Sequence, residues 1–465
     1  MAEREYAKPN NMRNPYVDPR SERARQRERE RAMKEEQLRR EKESSVRKAQ
    51  ESGARFGSFI KRWTLSGTAD APFMILVFVL LCIGLVMMFS ASYTDAYYRK
   101  GGDELWYIKR QVAYAVIGIV MMFAVSFFNY KRLNGGLAIV GYGASVLLLI
   151  VTFLVNLHKD NDFKRWLKIG PINFQPSEIA KFGLILFLAY NISRQYGLIG
   201  SKKVPNSPLL QSIDDKFTSK LRVFYRNAST MSMALTLWYT LIISFICVLI
   251  IIENHISCTI LVFLIGVGMM WLGGVKKGYF IVLAAVVALA LIVVIKNPDI
   301  LPGYAGTRIV AWLDKSFEPL KARWQTNQSL RAIASGGPFG LGLGGSKQKH
   351  MYVSEPQNDF IFAIVCEELG FVGATAIICL FAALVHRAFK IAVRAKDVFG
   401  SMLAMGIALQ VGIQVILNIA VVSDAIPNTG ISLPFFSYGG SSLVILLTEM
   451  GLIMSVSRNS SIEKT

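Results

Sequence analysis

The feature that most constrains this chain is a series of long apolar runs. Residues 73–89, 137–155, 235–252 and 279–295 are dominated by apolar side chains. These lengths approach or exceed the roughly 18 to 20 residues that a helix needs to cross about 30 Å of hydrocarbon. A backbone in lipid must satisfy its own hydrogen bonds, and the runs lack the period-2 alternation of barrel strands. The sequence therefore predicts an all-α polytopic membrane protein.

We predict about ten transmembrane helices. They lie at 73–93, 107–128, 135–157, 176–192, 234–252, 256–274, 279–296, 359–386, 399–422 and 440–457. The predicted domains are a tail of residues 1–65, a ten-helix membrane domain at 66–458 and a C-terminal tail at 459–465. A large extracellular loop at 297–358 precedes the eighth helix, and loops of this length usually carry function.

Positive charge predicts the orientation of the helices. The chain carries 52 Lys and Arg against 32 Asp and Glu, and 18 of the basic residues lie before the first span. Because Lys and Arg accumulate on the cytoplasmic side, the tail 1–65 is expected there, either disordered along anionic lipid or as a helix that docks a partner. An even number of spans places both termini in the cytoplasm. Since the charge serves orientation, no nucleic-acid partner is expected.

Several common chemistries lack their motifs. The four histidines are scattered, and no P-loop or Gly-x-Ser-x-Gly elbow stands in a suitable context. All five cysteines fall within apolar spans without metal-ligand spacing. The sequence therefore argues against ATP hydrolysis, zinc chemistry and a disulfide framework.

Ionisable residues inside spans or at their edges are costly, so each is a functional candidate. Here they are Glu178, Lys181, Asp359, Glu367, Glu368 and Glu449. Asp359 stands where the long loop meets the eighth span. A helix N-cap is the simplest explanation of an aspartate there. The same position would also keep a carboxylate ionised and available as a general base.

Glu178 and Lys181 are three residues apart and so share one face of the fourth span. They are expected to form an ion pair, which is either purely structural or faces a water-filled cavity and holds a substrate headgroup. Arg165, shortly before them, is placed to meet an anion at the membrane surface. The segment 434–442 is rich in hydroxyl groups, which serve either turn formation or hydrogen bonding to a sugar or diphosphate.

Several long motifs occur in order along residues 70–458. They are Arg165-Trp166-Leu167, Phe174-Gln175-Pro176-Ser177-Glu178-Ile179-Ala180-Lys181, Gln328-Ser329-Leu330, Gln357-Asn358-Asp359-Phe360-Ile361-Phe362-Ala363, Glu367-Glu368-Leu369-Gly370 and Leu433-Pro434-Phe435-Phe436-Ser437-Tyr438-Gly439-Gly440-Ser441-Ser442. With these motifs the chain resembles the shape, elongation, division and sporulation (SEDS) family of FtsW, RodA and SpoVE. Residues 344–356 are similar to the division and sporulation branch, although Asn358 stands where Thr is usual and Trp324 where Tyr is usual.

The resemblance implies a peptidoglycan glycosyltransferase of the bacterial cytoplasmic membrane. Such an enzyme polymerises lipid II, an undecaprenyl-diphosphate-linked disaccharide peptide, into glycan strands on the outer face during division, elongation or sporulation. It works with a class B penicillin-binding protein and with other division or elongation proteins. The family's essential aspartate corresponds to Asp359, which is then the expected general base, and Glu178 and Lys181 fall on the family's charged positions.

The remaining predicted substrate contacts follow from this chemistry. Basic residues are expected to meet the departing diphosphate, with a divalent cation, Mg²⁺ or Mn²⁺, as a candidate assistant. The basic candidates are Arg165, Arg308, Lys347 and Lys349, and the polar candidates are Gln328, Ser437 and Ser441. The alternative function is a transporter that flips lipid II, which buried charges in a polytopic bundle also suit. A third alternative is a scaffold that only recruits division enzymes.

Overall fold

The structure is a computed structural model that describes residues 68–156, 166–169, 172–195, 228–300, 305–317 and 321–460. The predicted tail 1–65 and the candidate Arg165 lie outside the described residues.

The described residues form twelve α-helices, which confirms the predicted helical class. They are α1 (Ala71–Arg99), α2 (Trp106–Phe127), α3 (Gly136–Val155), α4 (Pro176–Gln195), α5 (Ala228–Ile252), α6 (Ile256–Leu272), α7 (Lys277–Lys296), α8 (Ala305–Leu313), α9 (Trp324–Gly336), α10 (Ile361–Val393), α11 (Val398–Val422) and α12 (Gly440–Arg458). The sequence did not predict the small antiparallel hairpin of β1 (Leu167–Ile169) and β2 (Ile172–Phe174), in which Leu167 pairs with Phe174.

Eight helices within the described residues are long and apolar enough to cross a membrane: α1, α2, α3, α5, α7, α10, α11 and α12. The two other predicted spans also form helices. Of these, α6 is apolar but 17 residues long, whereas α4 has 20 residues and carries several polar side chains. Most of α4 is buried among its neighbours, and polar groups in membranes face the bundle interior. A multi-pass membrane protein is therefore confirmed, and the count of ten spans stays a prediction.

Helix α7 lies apart from the packed core. None of its residues is buried. It contacts α5 and α6 near its N-terminal end, where the Tyr279 hydroxyl lies 2.5 Å from Oγ1 of Thr240 and the Phe280 ring centre lies 5.1 Å from that of Trp271. The rest of its apolar surface is left for hydrocarbon.

The described part of the segment between α7 and α10 forms helices where the sequence predicts a loop. It contains α8 and α9, and Arg323 ties it to the bundle. The Arg323 guanidinium donates to Ala311 O at 2.6 Å and forms a 2.5 Å ion pair with Asp424 just after α11. Whether this segment is extracellular stays a prediction.

Helix α10 is broken at Gly370, which adopts φ 68° and ψ −170°. The break frees backbone groups that residues 337–342 satisfy. Leu341 N and Gly342 N donate to the carbonyls of residues 367 and 368, at 2.9 and 3.0 Å, while the amides of residues 371 and 372 donate back to residues 337 and 338. A Cβ at Gly370 would lie 2.2 Å from Gly340 N, so the close approach requires glycine.

We call residues 336–349 the glycine-rich segment. Glu367, fully buried in α10, fixes its end: the carboxylate accepts from the Ser346 hydroxyl and, at 3.0 Å, from Lys347 N. A buried carboxylate is tolerated when several donors satisfy it. The glycine-rich segment and the broken helix therefore form one packed unit.

Candidate functional site

Asp359 is half-buried immediately before α10. The helix begins at Ile361, so Phe360 occupies the N-cap position and makes no side-chain cap. Asp359 thus lies one residue before the N-cap position.

Hydrogen bonds hold the backbone that carries this carboxylate. Each carbonyl of residues 357–359 accepts one bond from outside the segment. In order, the donors are Tyr438 N at 2.8 Å, the Ser437 hydroxyl at 2.7 Å and Asn418 Nδ2 at 2.7 Å. Buried carbonyls with such partners keep one conformation, so the position of Asp359 is set by α11 and by the segment that leads into α12.

Arg308 of α8 interacts electrostatically with the Asp359 carboxylate. Burial lowers the pKa of Arg308, while the negative charge of Asp359 acts in the opposite direction and raises it. The guanidinium also donates to Asn428 O at 3.2 Å. On the same side, a Cβ at Gly430 would lie 3.1 Å from Oδ2 of Asp359. The carboxylate therefore lies close to the backbone at Gly430 and interacts electrostatically with a cation.

A small polar cavity, with about 20 Å³ of space for water-sized molecules, lies beside this segment. Polar and apolar side chains share its wall. The lining residues are Glu178, Gln410, Gln414, Ser432, Leu433, Pro434, Phe435, Ser437, Ser442, Leu443 and Leu446. Ser437 belongs both to the wall and to the support of Asn358. Asp359 is not among the lining residues, so the cavity reaches the segment that supports Asp359 rather than its carboxylate.

The predicted pair of Glu178 and Lys181 lies at this cavity. Lys181 Nζ is 2.8 Å from Glu178 Oε2, and the lysine side chain is 2% exposed. Gln410, which also lines the cavity, donates to Glu449 at 2.7 Å. Glu449 thereby joins the same polar cluster, and the cluster explains why a carboxylate is tolerated within the last span.

Gln328 lies on α9 and is almost fully buried, and its Oε1 has no hydrogen-bond partner among the described residues. The same holds for Asn428 Oδ1 and Thr429 Oγ1, beside Gly430. A buried polar atom without a partner costs about 1–3 kcal/mol. Asn428 and Thr429 directly precede Gly430, which contacts Asp359, so their unused hydrogen-bonding capacity suits a polar ligand there.

The two predicted lysines of the glycine-rich segment differ. Lys347 is exposed. Lys349 is buried, and its ammonium has three acceptors: Glu368 Oε1 at 2.9 Å, Gly344 O at 2.8 Å and the Ser90 hydroxyl at 3.2 Å. Because an ammonium has three N–H groups, this placement favours a structural role for Lys349 over the predicted substrate contact.

Ser441, near the start of α12, is half-buried and does not line the cavity, although its neighbour Ser442 does. Its contact with substrate stays a prediction. Across the described residues, no group of three or more His, Cys, Asp or Glu side chains is arranged to hold a metal ion. We assign no step to a divalent cation.

Sequence reasoning missed two residues that hold the site. Asn418 is a buried amide inside a predicted span, which is a usable signal because polar groups there are costly. Asp95 was overlooked because the first span was predicted to end at residue 93, whereas α1 continues to Arg99.

A helical bundle of membrane-spanning length, with an acidic group just before a long helix and buried charged and polar side chains around it, defines an integral membrane protein with an enzyme-like site. The sequence model of the FtsW, RodA and SpoVE family, described as cell cycle protein, matches residues 71–462. The chain belongs to this family.

Individual relatives agree with this assignment. Stage V sporulation protein E of Bacillus subtilis (strain 168) is 34% identical over 400 residues, covering 85% of this chain and 99% of the relative. A probable peptidoglycan glycosyltransferase FtsW of Geobacter sp. (strain M18) is 31% identical, covering 83% and 96%. A solved chain from work on the structural coordination of polymerization and crosslinking by a peptidoglycan synthase complex shares the fold, with a TM-score of 0.63 and 24% identity over 85% of this chain and 99% of that chain.

Proposed function

We propose that this protein is a peptidoglycan glycosyltransferase that polymerises lipid II, with Asp359 as the general base. Relatives named as probable peptidoglycan glycosyltransferases, at 29–35% identity, support the activity. The observation that carries the residue assignment is the placement of Asp359. The backbone of its segment is held from two other elements, its charge interacts with Arg308, and its supporting residue Ser437 lines a small polar cavity.

The proposed reaction needs one proton acceptor. A sugar hydroxyl of one lipid-linked saccharide attacks the anomeric carbon of another, and Asp359 takes the hydroxyl proton as the new C–O bond forms. The bond between the anomeric carbon and the diphosphate breaks, and its electron pair leaves with undecaprenyl diphosphate. Positioned proton transfer of this kind contributes about 10²–10⁴-fold to a rate.

The departing diphosphate needs positive charge. Arg308 interacts electrostatically with Asp359, and Lys347 is exposed on the glycine-rich segment. A cation aimed at charge that develops in the transition state is worth several kcal/mol when water is excluded. We assign this role to Arg308 first and to Lys347 second.

The substrate suggests on which face of the membrane Asp359 lies, and the charge of the tail suggests on which side the termini lie. Since lipid II presents its sugars on the outer face, Asp359 is proposed to lie on that face, with both termini in the cytoplasm. A class B penicillin-binding protein is the proposed partner, because newly made strands must be crosslinked. This partnership rests on the family resemblance.

One experiment separates polymerisation from lipid transport. The purified protein, with its penicillin-binding partner, is reconstituted into vesicles with labelled lipid II, and polymer and transbilayer movement are both measured. The proposal expects long strands from the wild type and none from a folded Asp359→Ala variant. Movement of lipid II without polymer, impaired by the same variant, would instead establish the transporter.

A further inference from the structure

Asp95 is a buried carboxylate that the proposed reaction does not use. It lies in the last turns of α1 and is 1% exposed. Its Oδ2 accepts from the Tyr107 hydroxyl at 2.9 Å and from Gln357 Nε2 at 3.2 Å. Its Oδ1 lies 3.0 Å from Nε of Arg99. One of its three partners is therefore only two residues from Asp359.

Asp95 belongs to a strip along the end of α1 that contacts residues on both sides of Asp359 in the chain. Four side chains of this strip make these contacts. The pairs are Ser90 with Glu368 and Lys349, Thr94 with His350, Asp95 with Gln357, and Arg99 with Glu355. The Arg99 and Glu355 pair is largely exposed and 3.9 Å apart, so it contributes little. Asp95 is the buried member nearest the site.

The contacts of Asp95 close into a ring. Asp95 binds Tyr107, and the Tyr107 ring meets the Tyr438 ring edge to face with centroids 5.0 Å apart. Tyr438 N donates to Gln357 O at 2.8 Å, and the Gln357 side chain returns to Asp95. The ring thus joins α1, α2, the segment before α12 and the segment before α10. Gln357 is held through both its backbone and its side chain.

We infer that Asp95 is a positioning residue that holds the segment 357–359 so that the Asp359 carboxylate stays in place for the reaction. This inference rests on the proposed function of Asp359. Without the Asp95 carboxylate, the Tyr107 hydroxyl and the Gln357 amide lose their acceptor in a buried site. Unpaired buried donors are costly, so the segment shifts until water or another acceptor reaches them.

Two substitutions of Asp95 distinguish a positioning role from a general role in folding. In Asp95→Asn, the amide oxygen can still accept from Tyr107 and Gln357, while the amide nitrogen replaces the oxygen near the half-exposed Arg99. In Asp95→Ala all three contacts are lost. Asp103→Ala is the matched control, since Asp103 lies in the turn after α1 and makes an exposed ion pair with Lys109 at 3.1 Å.

The experiment measures lipid II polymerisation and amide hydrogen exchange of residues 355–360 in the full-length protein with its partner. A displacement near 1 Å can cost about 10²-fold in rate. We expect Asp95→Ala to lower kcat by about 10- to 100-fold, with KM unchanged and faster exchange at 355–360. Asp95→Asn restores most of kcat and of the protection, and Asp103→Ala resembles the wild type.

Three results would overturn the inference. The first is an Asp95→Ala protein with normal kcat, whatever its exchange. The second is a loss of kcat with unchanged exchange at 355–360, and the third is a loss that Asp95→Asn does not restore. Hydrogen exchange reports on the segment even when no polymer forms. Failure of the proposed function is detected in a separate experiment: the Asp359→Ala protein would then still make glycan strands.

Discussion

Asp359 and Gly430 are in such close contact that any side chain at position 430 meets the carboxylate. Gly430 has φ +72°, and a Cβ built on it would lie 3.1 Å from Oδ2 of Asp359. Gly430→Ala is therefore expected to displace the carboxylate and to lower kcat for strand synthesis by about 10- to 100-fold.

The control for Gly430→Ala separates this contact from backbone strain. Gly274, in the turn between α6 and α7, has φ +85° but nothing within 4 Å of an added Cβ. Gly274→Ala should therefore cost stability of about 1 kcal/mol or more through the positive φ and leave kcat unchanged. Equal effects of the two substitutions on kcat would show that contact with Asp359 is unimportant.

Lys181 is predicted to be needed for folding, because without it the Glu178 carboxylate is left as an unpaired charge inside the bundle. The ammonium is buried against Glu178 at 2.8 Å. Removing one partner of a buried ion pair costs about 3–5 kcal/mol, so Lys181→Met should lower the thermal unfolding midpoint strongly.

The double variant Glu178→Gln with Lys181→Met removes both charges and should recover part of that loss. This is measured by unfolding in detergent. A double variant less stable than Lys181→Met alone would contradict the pairing. If both variants fold, their KM for lipid II tests the predicted contact with the substrate headgroup.

Lys347 and Lys349 are predicted to differ although they are two residues apart. Lys349→Met leaves Glu368 without its ion-pair partner and should lower stability and loosen the glycine-rich segment. Lys347→Met, at an exposed position, should preserve stability and weaken use of lipid II. Parallel measurements of unfolding midpoint and steady-state kinetics check both. The assignment fails if Lys347→Met is the destabilised variant.

Glu253 gives the protein a predicted pH dependence of stability. It follows α5, is fully buried, and neither carboxylate oxygen has a hydrogen-bond partner among the described residues. Burial raises the pKa of Glu253 to about 8. The folded state therefore keeps a proton that the unfolded chain, with the ordinary carboxyl pKa, has released.

The sign follows from this difference in proton binding. The stabilisation is complete below the ordinary carboxyl pKa and is lost as pH rises towards about 8. Glu253→Gln should flatten the decline of the unfolding midpoint between pH 5 and about 8, and should be more stable than the wild type at the upper end. An identical pH profile for the two proteins would refute the assignment.

The sequence predicted the long apolar helices well, because twenty apolar residues in succession leave a backbone few alternatives in lipid. The pair of Glu178 and Lys181 was equally predictable, since residues three apart on a helix are neighbours. Both predictions depend on local spacing alone.

Contacts between segments far apart in the sequence could not be predicted in that way. The site depends on Asn418 reaching Asp359 O and on Asp95 reaching Gln357, and no local period encodes either pairing. The break at Gly370 was missed because its freed backbone groups are satisfied by a segment some thirty residues earlier. Lys349 appeared to be a substrate ligand because a sequence does not reveal that Glu368 already holds it.

The most direct test of the account is strand synthesis by Asp359→Asn. This substitution keeps the shape of the side chain and removes the basic oxygen that takes the proton. The protein is purified with its penicillin-binding partner, shown to be folded by its unfolding midpoint, and supplied with lipid II. The account predicts a loss of about 10²-fold or more in the rate of glycan polymerisation. Wild-type polymerisation by a folded Asp359→Asn protein would contradict it.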